Sequence, residues 1–511
     1  MTNELDQLQI GSPAWQYKLL TDNLTQPLLD DNRGSSRDLP HHYKIYPQTH
    51  RLPLYYPLPT QLEQTSNDWS KLSMLLHYTL GLNQLLNLPG YTPAKGEGYI
   101  SASLRRSVPS NGGLYPTELY IWLGNSPTAP AGLYHYDPAH HQVEQLKQGD
   151  YRNTIATALG LDHSALNQVK LVVFTSLRLN KNIAKYGDFS YRVQTLDSGI
   201  VQGRLAVLAQ ALNWQAHYHW QFFDEQLDSM LGLDTDSESV HHVSLFRWDS
   251  LTPAGTNLTT PPLKDSAASA ASEPKLELTE HVANLHRAAL YTTPDQLHKK
   301  VPATKLGLAS QPSSPNLLKT IKERYSYGAA FEGTPLTVNQ LLRLAQAALA
   351  TLQMQAYCDT NLKLEFYFIV IRVDGLISGA YRYIPLQNTV ELIQPLPAIS
   401  NYLLIANADF QQANFNPDKI SVVFYPVGNY RASLANYGER GFRLLNLTAG
   451  WAVENVQIAA GESGSASASY LGFNTNYVNE LLDLPEQLDT LTQLFIGHIQ
   501  ANTALYRGFI A

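Results

Sequence analysis

The sequence predicts an α+β fold repeated in tandem along 511 residues. Three observations carry that expectation. The longest apolar runs, Leu171–Ser176 and Phe366–Val373, are strand-sized and fall far short of the roughly 18 residues a membrane helix needs. A set of glycines, aromatics and charged residues recurs in the second half at constant spacing. A stretch rich in Thr, Pro, Ala and Ser, including Thr259-Thr260-Pro261-Pro262 and Ala267-Ala268-Ser269-Ala270-Ala271-Ser272, separates the two copies and has the composition of a linker.

Taken in order, residues 1–65 are expected to form an N-terminal arm, irregular over 1–40. Residues 66–250 are expected to form the first domain, 251–277 the linker and 278–511 the second domain. His41, His42 and His50 crowd one short segment, but no second ligand cluster matches their spacing, so they read as loop histidines rather than a metal site. Leu72, Leu75, Leu76 and Leu80 fall on one face of a helix predicted over 70–84. Strands are predicted at Glu118–Leu123, Gly132–Pro138, Val169–Ser176 and Val240–Trp248. Helices are predicted at Tyr151–Leu161, Tyr191–Leu212 and Phe223–Leu231.

The repeat can be followed residue by residue. At one spacing Ala184, Tyr186, Gly187, Tyr191, Arg192, Leu196 and Gly199 correspond to Ala435, Tyr437, Gly438, Phe442, Arg443, Leu447 and Gly450. The same spacing carries on to Phe222/Phe473 and Leu231/Leu482. Nearer the front a second spacing relates Glu118, Tyr120, Gly132, Tyr134 and Tyr136 to Glu365, Tyr367, Gly379, Tyr381 and Tyr383. Two copies in one chain read as a dimer fused into a single polypeptide, a pseudo-dimer that can work as a monomer. Arg192, repeated as Arg443, reads as structural, in an interface ion pair.

Thirty-six basic against 43 acidic residues leave a net charge of −7, with no basic stripe for nucleic acid. The single cysteine, Cys358, excludes an internal disulfide, a CxxC pair and a cysteine-rich zinc site. No basic-then-apolar signal pattern opens the chain, and no segment suits a membrane, so a cytoplasmic protein is expected. Thirty tyrosines suggest large aromatic walls, in a pocket or at an interface.

One stretch organises the rest: Arg105-Arg106-Ser107-Val108-Pro109-Ser110-Asn111-Gly112-Gly113-Leu114-Tyr115-Pro116. It is a tight turn that feeds a strand. Paired glycines let backbone approach a flat ligand closely, and Ser110 and Asn111 offer hydrogen bonds there. Downstream stand Gly132-Leu133-Tyr134-His135-Tyr136-Asp137-Pro138 and Lys185-Tyr186-Gly187-Asp188, followed by Tyr191-Arg192. Together these motifs resemble those of the SagB-type, or McbC-like, dehydrogenases, a branch of the FMN-dependent nitroreductase superfamily. The resemblance covers most of residues 70–248 and, more weakly, 316–497. It implies an α+β fold, a dimeric arrangement and FMN at the interface of two domains. It also implies hydride transfer to flavin N5, several members of the branch oxidising azoline rings of modified peptides to azoles.

The halves differ in what they keep. The first has the Pro-Ser turn; the second reads Ala356-Tyr357-Cys358-Asp359-Thr360-Asn361 there, without glycine. The second has Arg324-Tyr325-Ser326 and Gly472-Phe473, matching the family's Arg-x-Ser and Gly-Phe; the first has Trp220-Gln221-Phe222 at the latter place. The resemblance therefore implies one composite FMN site. Arg106, Pro109, Ser110, Asn111, Gly112 and Gly113 would come from the first half, and Arg324, Ser326, Gly472 and Arg507 from the second. Lys185 is the candidate base and Tyr186 orients substrate or relays the proton; Asn436 replaces the lysine in the second half. The expected substrate is a small or peptide-derived molecule, delivered with a cyclodehydratase-type partner. Two other readings are an NAD(P)H-dependent nitro- or quinone-type reductase and a non-catalytic partner subunit.

Overall fold

The computed structural model describes residues 11–22, 40–55, 67–92, 97–126, 128–247, 270–272, 274, 276–297, 316–326, 331–407, 416–499 and 506–509. Most of the stretch expected as linker lies outside them.

Two antiparallel sheets frame the molecule. Across the first, in order, lie His50–Pro53, Gln142–Gln148, Gly132–Asp137, Thr117–Leu123, Leu171–Arg178, Glu238–Arg247 and Gln215–His219. Across the second lie Thr389–Pro395, Gly379–Ile384, Leu364–Val370, Val422–Gly428, Gln493–Gly497 and Ala466–Tyr470. The last six strands of the first sheet and the six of the second follow the same order along the chain and across the sheet.

Alternation along each central strand assigns its two faces. Leu119, Ile121 and Leu123 join a core that runs through both halves, while Tyr120 and Trp122 turn outward into a separate cluster. In the second sheet Phe366 and Phe368 enter the shared core, and Tyr367 and Ile369 turn outward. Tyr120 and Tyr367, paired by the repeat, thus share an orientation.

Between the sheets run two long helices, Ser190–Ala211 and Arg440–Glu462, nearly every residue of which is buried. They cross at two glycines. A Cβ on Gly199 would lie 2.0 Å from the Leu447 carbonyl oxygen, and one on Gly450 would lie 2.2 Å from that of Leu196. The contact is reciprocal: Gly199 meets Leu447 and Gly450 meets Leu196, two leucines that the repeat makes equivalent, as in a two-fold interface. Arg204 and Glu454 pair across the same helices at 2.5 Å, both fully buried. The two short helices that precede them, Ile183–Tyr186 and Tyr430–Tyr437, both end on a glycine of positive φ, Gly187 at 49° and Gly438 at 58°.

A third, smaller sheet joins the halves. Leu82–Thr92 and Glu97–Arg106 form a hairpin, and the C-terminal strand Tyr506–Phe509 adds to it, with Arg507 opposite Leu86.

The structure corrects three expectations. Residues 1–40 are not irregular throughout: Pro13–Asp22 is a helix with Ala14, Tyr17 and Lys18 buried. Its apolar face is short, and polar side chains that pair inside the molecule hide it in the sequence. Ser12 Oγ and the Ala14 N–H both donate to Glu439 at 2.7 Å, Lys18 meets Asp489 at 3.0 Å, and Asp22 meets Arg192 at 2.5 Å. The helix therefore straps both halves. Second, the N-terminal arm supplies an edge strand to the first sheet, His50–Pro53 pairing with Gln142–Gln148. Third, the helix expected over 70–84 is Asp68–Leu80, opened by an Asn67–Ser70 capping box and closed at Gly81, where a Cβ would strike the His77 carbonyl at 2.6 Å. The chain then turns into a strand.

Arg443, expected in an interface ion pair, bonds Asp224 of the first half at 3.0 Å. Its counterpart Arg192 pairs instead with Asp22 of the N-terminal helix.

Candidate active site

The glycine-bearing turn forms a single 3-10 turn at Asn111–Gly113, with Gly112 at φ 68° and Gly113 at φ 67°. A side chain is strained there by backbone alone, and space forbids it as well. A Cβ on Gly112 would lie 2.7 Å from Tyr186 Oη and 2.8 Å from Lys185 Nζ; one on Gly113 would strike the Arg105 guanidinium. The fold thus brings Lys185 and Tyr186, more than seventy positions downstream, against the turn. Both are half-buried. Burial, and then the Arg105 charge, lowers the Lys185 pKa from its ordinary value. Burial raises that of Tyr186, which stays a neutral hydroxyl.

Ser110 and Asn111 were expected to point their donors at a ligand. Instead, both turn to Asp197. Ser110 Oγ and Asn111 Nδ2 each donate to its carboxylate at 2.7 Å, and the Asn111 N–H adds bonds at 3.1 and 3.2 Å. Ser110 Oγ also accepts the Tyr115 N–H at 2.9 Å. Asp197 sets the shape of the turn, and sequence reasoning missed it. The available signal was that it is the one acidic residue in the helix Ser190–Ala211.

Burial pushes the Asp197 pKa up to about 7. The folded value lies above the unfolded one, near 4, so its contribution to stability is full below about pH 4 and is lost as pH rises through about 7. Asp197→Asn is expected to remove about 1.4 kcal/mol per pH unit from that loss, read as unfolding free energy against pH. An unchanged slope would assign the dependence elsewhere; Asp228, also raised to about 7, is the control.

The second half reaches the same turn. Arg324 closes the helix Leu317–Glu323, and its Nε donates to the Ser107 carbonyl, while Nη1 donates to Ser326 Oγ at 3.0 Å. Gln84 of the hairpin donates to the Lys322 and Arg324 carbonyls, each at 2.7 Å. Ser107 Oγ accepts from Asn83 at 2.9 Å and from Arg204 at 3.2 Å. Burial lowers the Arg324 pKa, and the nearby Arg204 charge adds to the effect. Arg324 also borders a cleft of about 630 Å³, with Lys319, Gln457, Ser465 and Ser467 on its walls. Pro109 is buried beside the turn, and Gly472 lies in the loop after Ala466–Tyr470. For Arg507 the backbone register alone is described.

Arg106 differs from the rest. It is 1% exposed, and among the described residues none of its three guanidinium nitrogens has a hydrogen-bond partner. Its charge lies over the Tyr115 ring, 4.8 Å from the centroid.

The equivalent place on the other side is closed. Asp359 stands where Gly112 does, and Gln221 where Gly472 does. The Asp359 carboxylate accepts the Trp220 N–H at 2.9 Å and the Gln221 N–H at 3.0 Å, while Gln221 Nε2 donates to the Asp359 carbonyl at 2.8 Å. Trp220 is fully buried, its ring 6.0 Å from that of Trp451. Carboxylate and indole stand where the first half has glycine backbone. The sequence marks this place by Trp220-Gln221 and by the loss of glycine, but that Asp359 bonds both residues has no sequence signal.

Among the described residues no group of three His, Cys, Asp or Glu could hold a metal, and no helix is long and apolar enough to cross a membrane.

Residues 82–245 match the Nitroreductase family, so the first half carries a nitroreductase-family domain. A nitroreductase of Methanocaldococcus jannaschii is 26% identical over 158 residues, 30% of this chain and 77% of that protein. The trifolitoxin-processing protein TfxB of Rhizobium leguminosarum bv. trifolii is 26% identical over 191 residues, 36% of this chain and about half of that protein, at 47%. A crystal structure of a nitroreductase-type protein from Anabaena variabilis superposes on 96% of this chain and 100% of its own, with a TM-score of 0.72 at 20% identity. The α+β fold of the nitroreductases therefore extends across both sheets, beyond the matched segment.

Proposed function

We propose that the chain is an FMN-dependent oxidoreductase of the SagB type, two tandem nitroreductase-like domains forming a pseudo-dimer around a single composite flavin site. The domain limits are those read from the sequence, at 66–250 and 278–511, joined by 251–277. The observation that carries the reading is the asymmetry between Gly112, whose backbone packs against Lys185 and Tyr186, and Asp359, whose carboxylate bonds Trp220 and Gln221 of the first half. The residues present suit the cofactor on the first side. Glycines whose Cβ positions are already claimed leave backbone facing a flat ring, and the guanidinium and hydroxyl of Arg324 and Ser326 suit a phosphate. Gly472 and Arg507 complete the set in this reading.

When bound, FMN supplies a hydride acceptor. The chain supplies the rest. Lys185, with its pKa lowered, takes the proton that leaves with the hydride, and the neutral Tyr186 hydroxyl orients the substrate beside it. A ring or C–N bond in a peptide-derived molecule is the substrate this chemistry favours, oxidised from azoline to azole. The trifolitoxin-processing relative fits such a role, and with it a cyclodehydratase-type partner.

The test is the flavin content of the purified chain by absorbance after release. One FMN per chain is expected. Two per chain would overturn the sealed-site reading; none, even after incubation with FMN, would leave a partner subunit without catalysis. Prompt bleaching of bound FMN by NAD(P)H alone would make the protein a nitro- or quinone-type reductase instead.

A further inference from the structure

A cationic cluster lies beside the turn, one residue from the Ser107 carbonyl that Arg324 holds. Its centre is Arg106, buried and unpartnered at Nε, Nη1 and Nη2 among the described residues. Two tyrosine rings face it, Tyr115 at 4.8 Å and Tyr43 at 6.0 Å from the centroids. Segment 41–43 lies over the cluster. Arg178 Nη1 donates to the His41 carbonyl at 3.1 Å and Lys181 Nζ to the His42 carbonyl at 2.9 Å. The neighbouring carboxylate is Glu118, which holds Arg178 at 3.2 Å. The His42 imidazole is kept neutral first by burial and then by Lys181, Arg105, Arg106 and Arg178 around it. Arg106, Arg178 and Lys181 thus share one patch at segment 41–43, with the Glu118 carboxylate on Arg178.

A buried guanidinium is expensive to leave unpaired, and ring faces offset little of that cost. Its planar donors suit an oxyanion held by two parallel bonds. The aromatic side walls restrict that anion to the guanidinium edge.

We propose that Arg106 binds an oxyanion of the substrate, a carboxylate or phosphate group, with Arg178 and Lys181 behind it as supporting charge. The substrate is therefore anionic, and the Lys185 amine acts on a molecule anchored at Arg106. This assigns Arg106 to the substrate instead of the cofactor. It rests on the reading above for calling the bound molecule a substrate.

The test titrates FMN-loaded protein with benzoate and, separately, with inorganic phosphate at constant ionic strength, by calorimetry. One anion per chain is expected, the tighter probe naming the oxyanion. Arg106→Met should weaken it at least about tenfold while FMN affinity changes less than about twofold. Failure of both probes to bind the loaded wild-type chain overturns the proposal. So does an Arg106→Met chain that loses FMN together with the anion, because the guanidinium would then face the cofactor. Should Arg106→Met not fold, Lys181→Met takes its place under the same criteria. If the chain takes up no FMN, the titration is run without it. Anion binding that depends on Arg106 would then leave this site standing and remove the flavin reading.

Discussion

Lys185→Met is expected to lower turnover by about 10²- to 10⁴-fold while FMN stays bound, the range a positioned acid–base group contributes. The side chain reaches the turn at Gly112 and is half-buried, so methionine can occupy its volume. The pH profile gives the sharper reading. The base form of a lysine grows as pH rises, and burial together with Arg105 lowers the pKa of this one. Activity should therefore climb with pH and level off below the range of an ordinary lysine, and Lys185→Met should abolish that limb. Arg105→Gln removes a like charge, raises the Lys185 pKa and moves the limb to higher pH. A Lys185→Met enzyme with full turnover would end the assignment of the base.

Asp224→Ala is expected to destabilise the chain by about 3–5 kcal/mol, the cost of stranding buried charge. Asp224 is the shared anion of Arg440 and Arg443, all three fully buried, and it also accepts the Tyr291 N–H at 2.8 Å. Both arginines belong to the second half and the aspartate to the first, so the substitution loosens the seating of one on the other. Urea unfolding measures it; a midpoint shift worth less than about 1 kcal/mol would mean that water or local shifts replace the carboxylate.

Much of this architecture could be read in the chain. Strand alternation places Tyr120 and Tyr367 on matching faces because a pleated backbone has a fixed period. The glycine turn could be named from its paired glycines, and Lys185-Tyr186 from the motif resemblance that accompanies it. What escaped was decided by long-range pairing. The helix Pro13–Asp22 looks polar because Lys18 and Asp22 find their charges in distant segments. Ser110 and Asn111 look available until Asp197 is folded against them. The closure by Asp359 depends on two backbone N–H groups, which no side-chain pattern reports. The approach of Arg324 to Ser107 depends on Gln84 of the hairpin, which holds the Lys322 and Arg324 carbonyls from more than 230 positions away.

The glycine crossing of the two long helices has a mechanical meaning. Gly199 and Gly450 leave main chain directly against main chain, with no rotamer between them to absorb a shift. Sliding or rolling one helix on the other would drive a carbonyl oxygen into a Cα, a contact that resists far more steeply than displaced side chains do. The two halves therefore act as one rigid frame. Lys185, on one side of it, and Arg324, on the other, are held at a fixed separation.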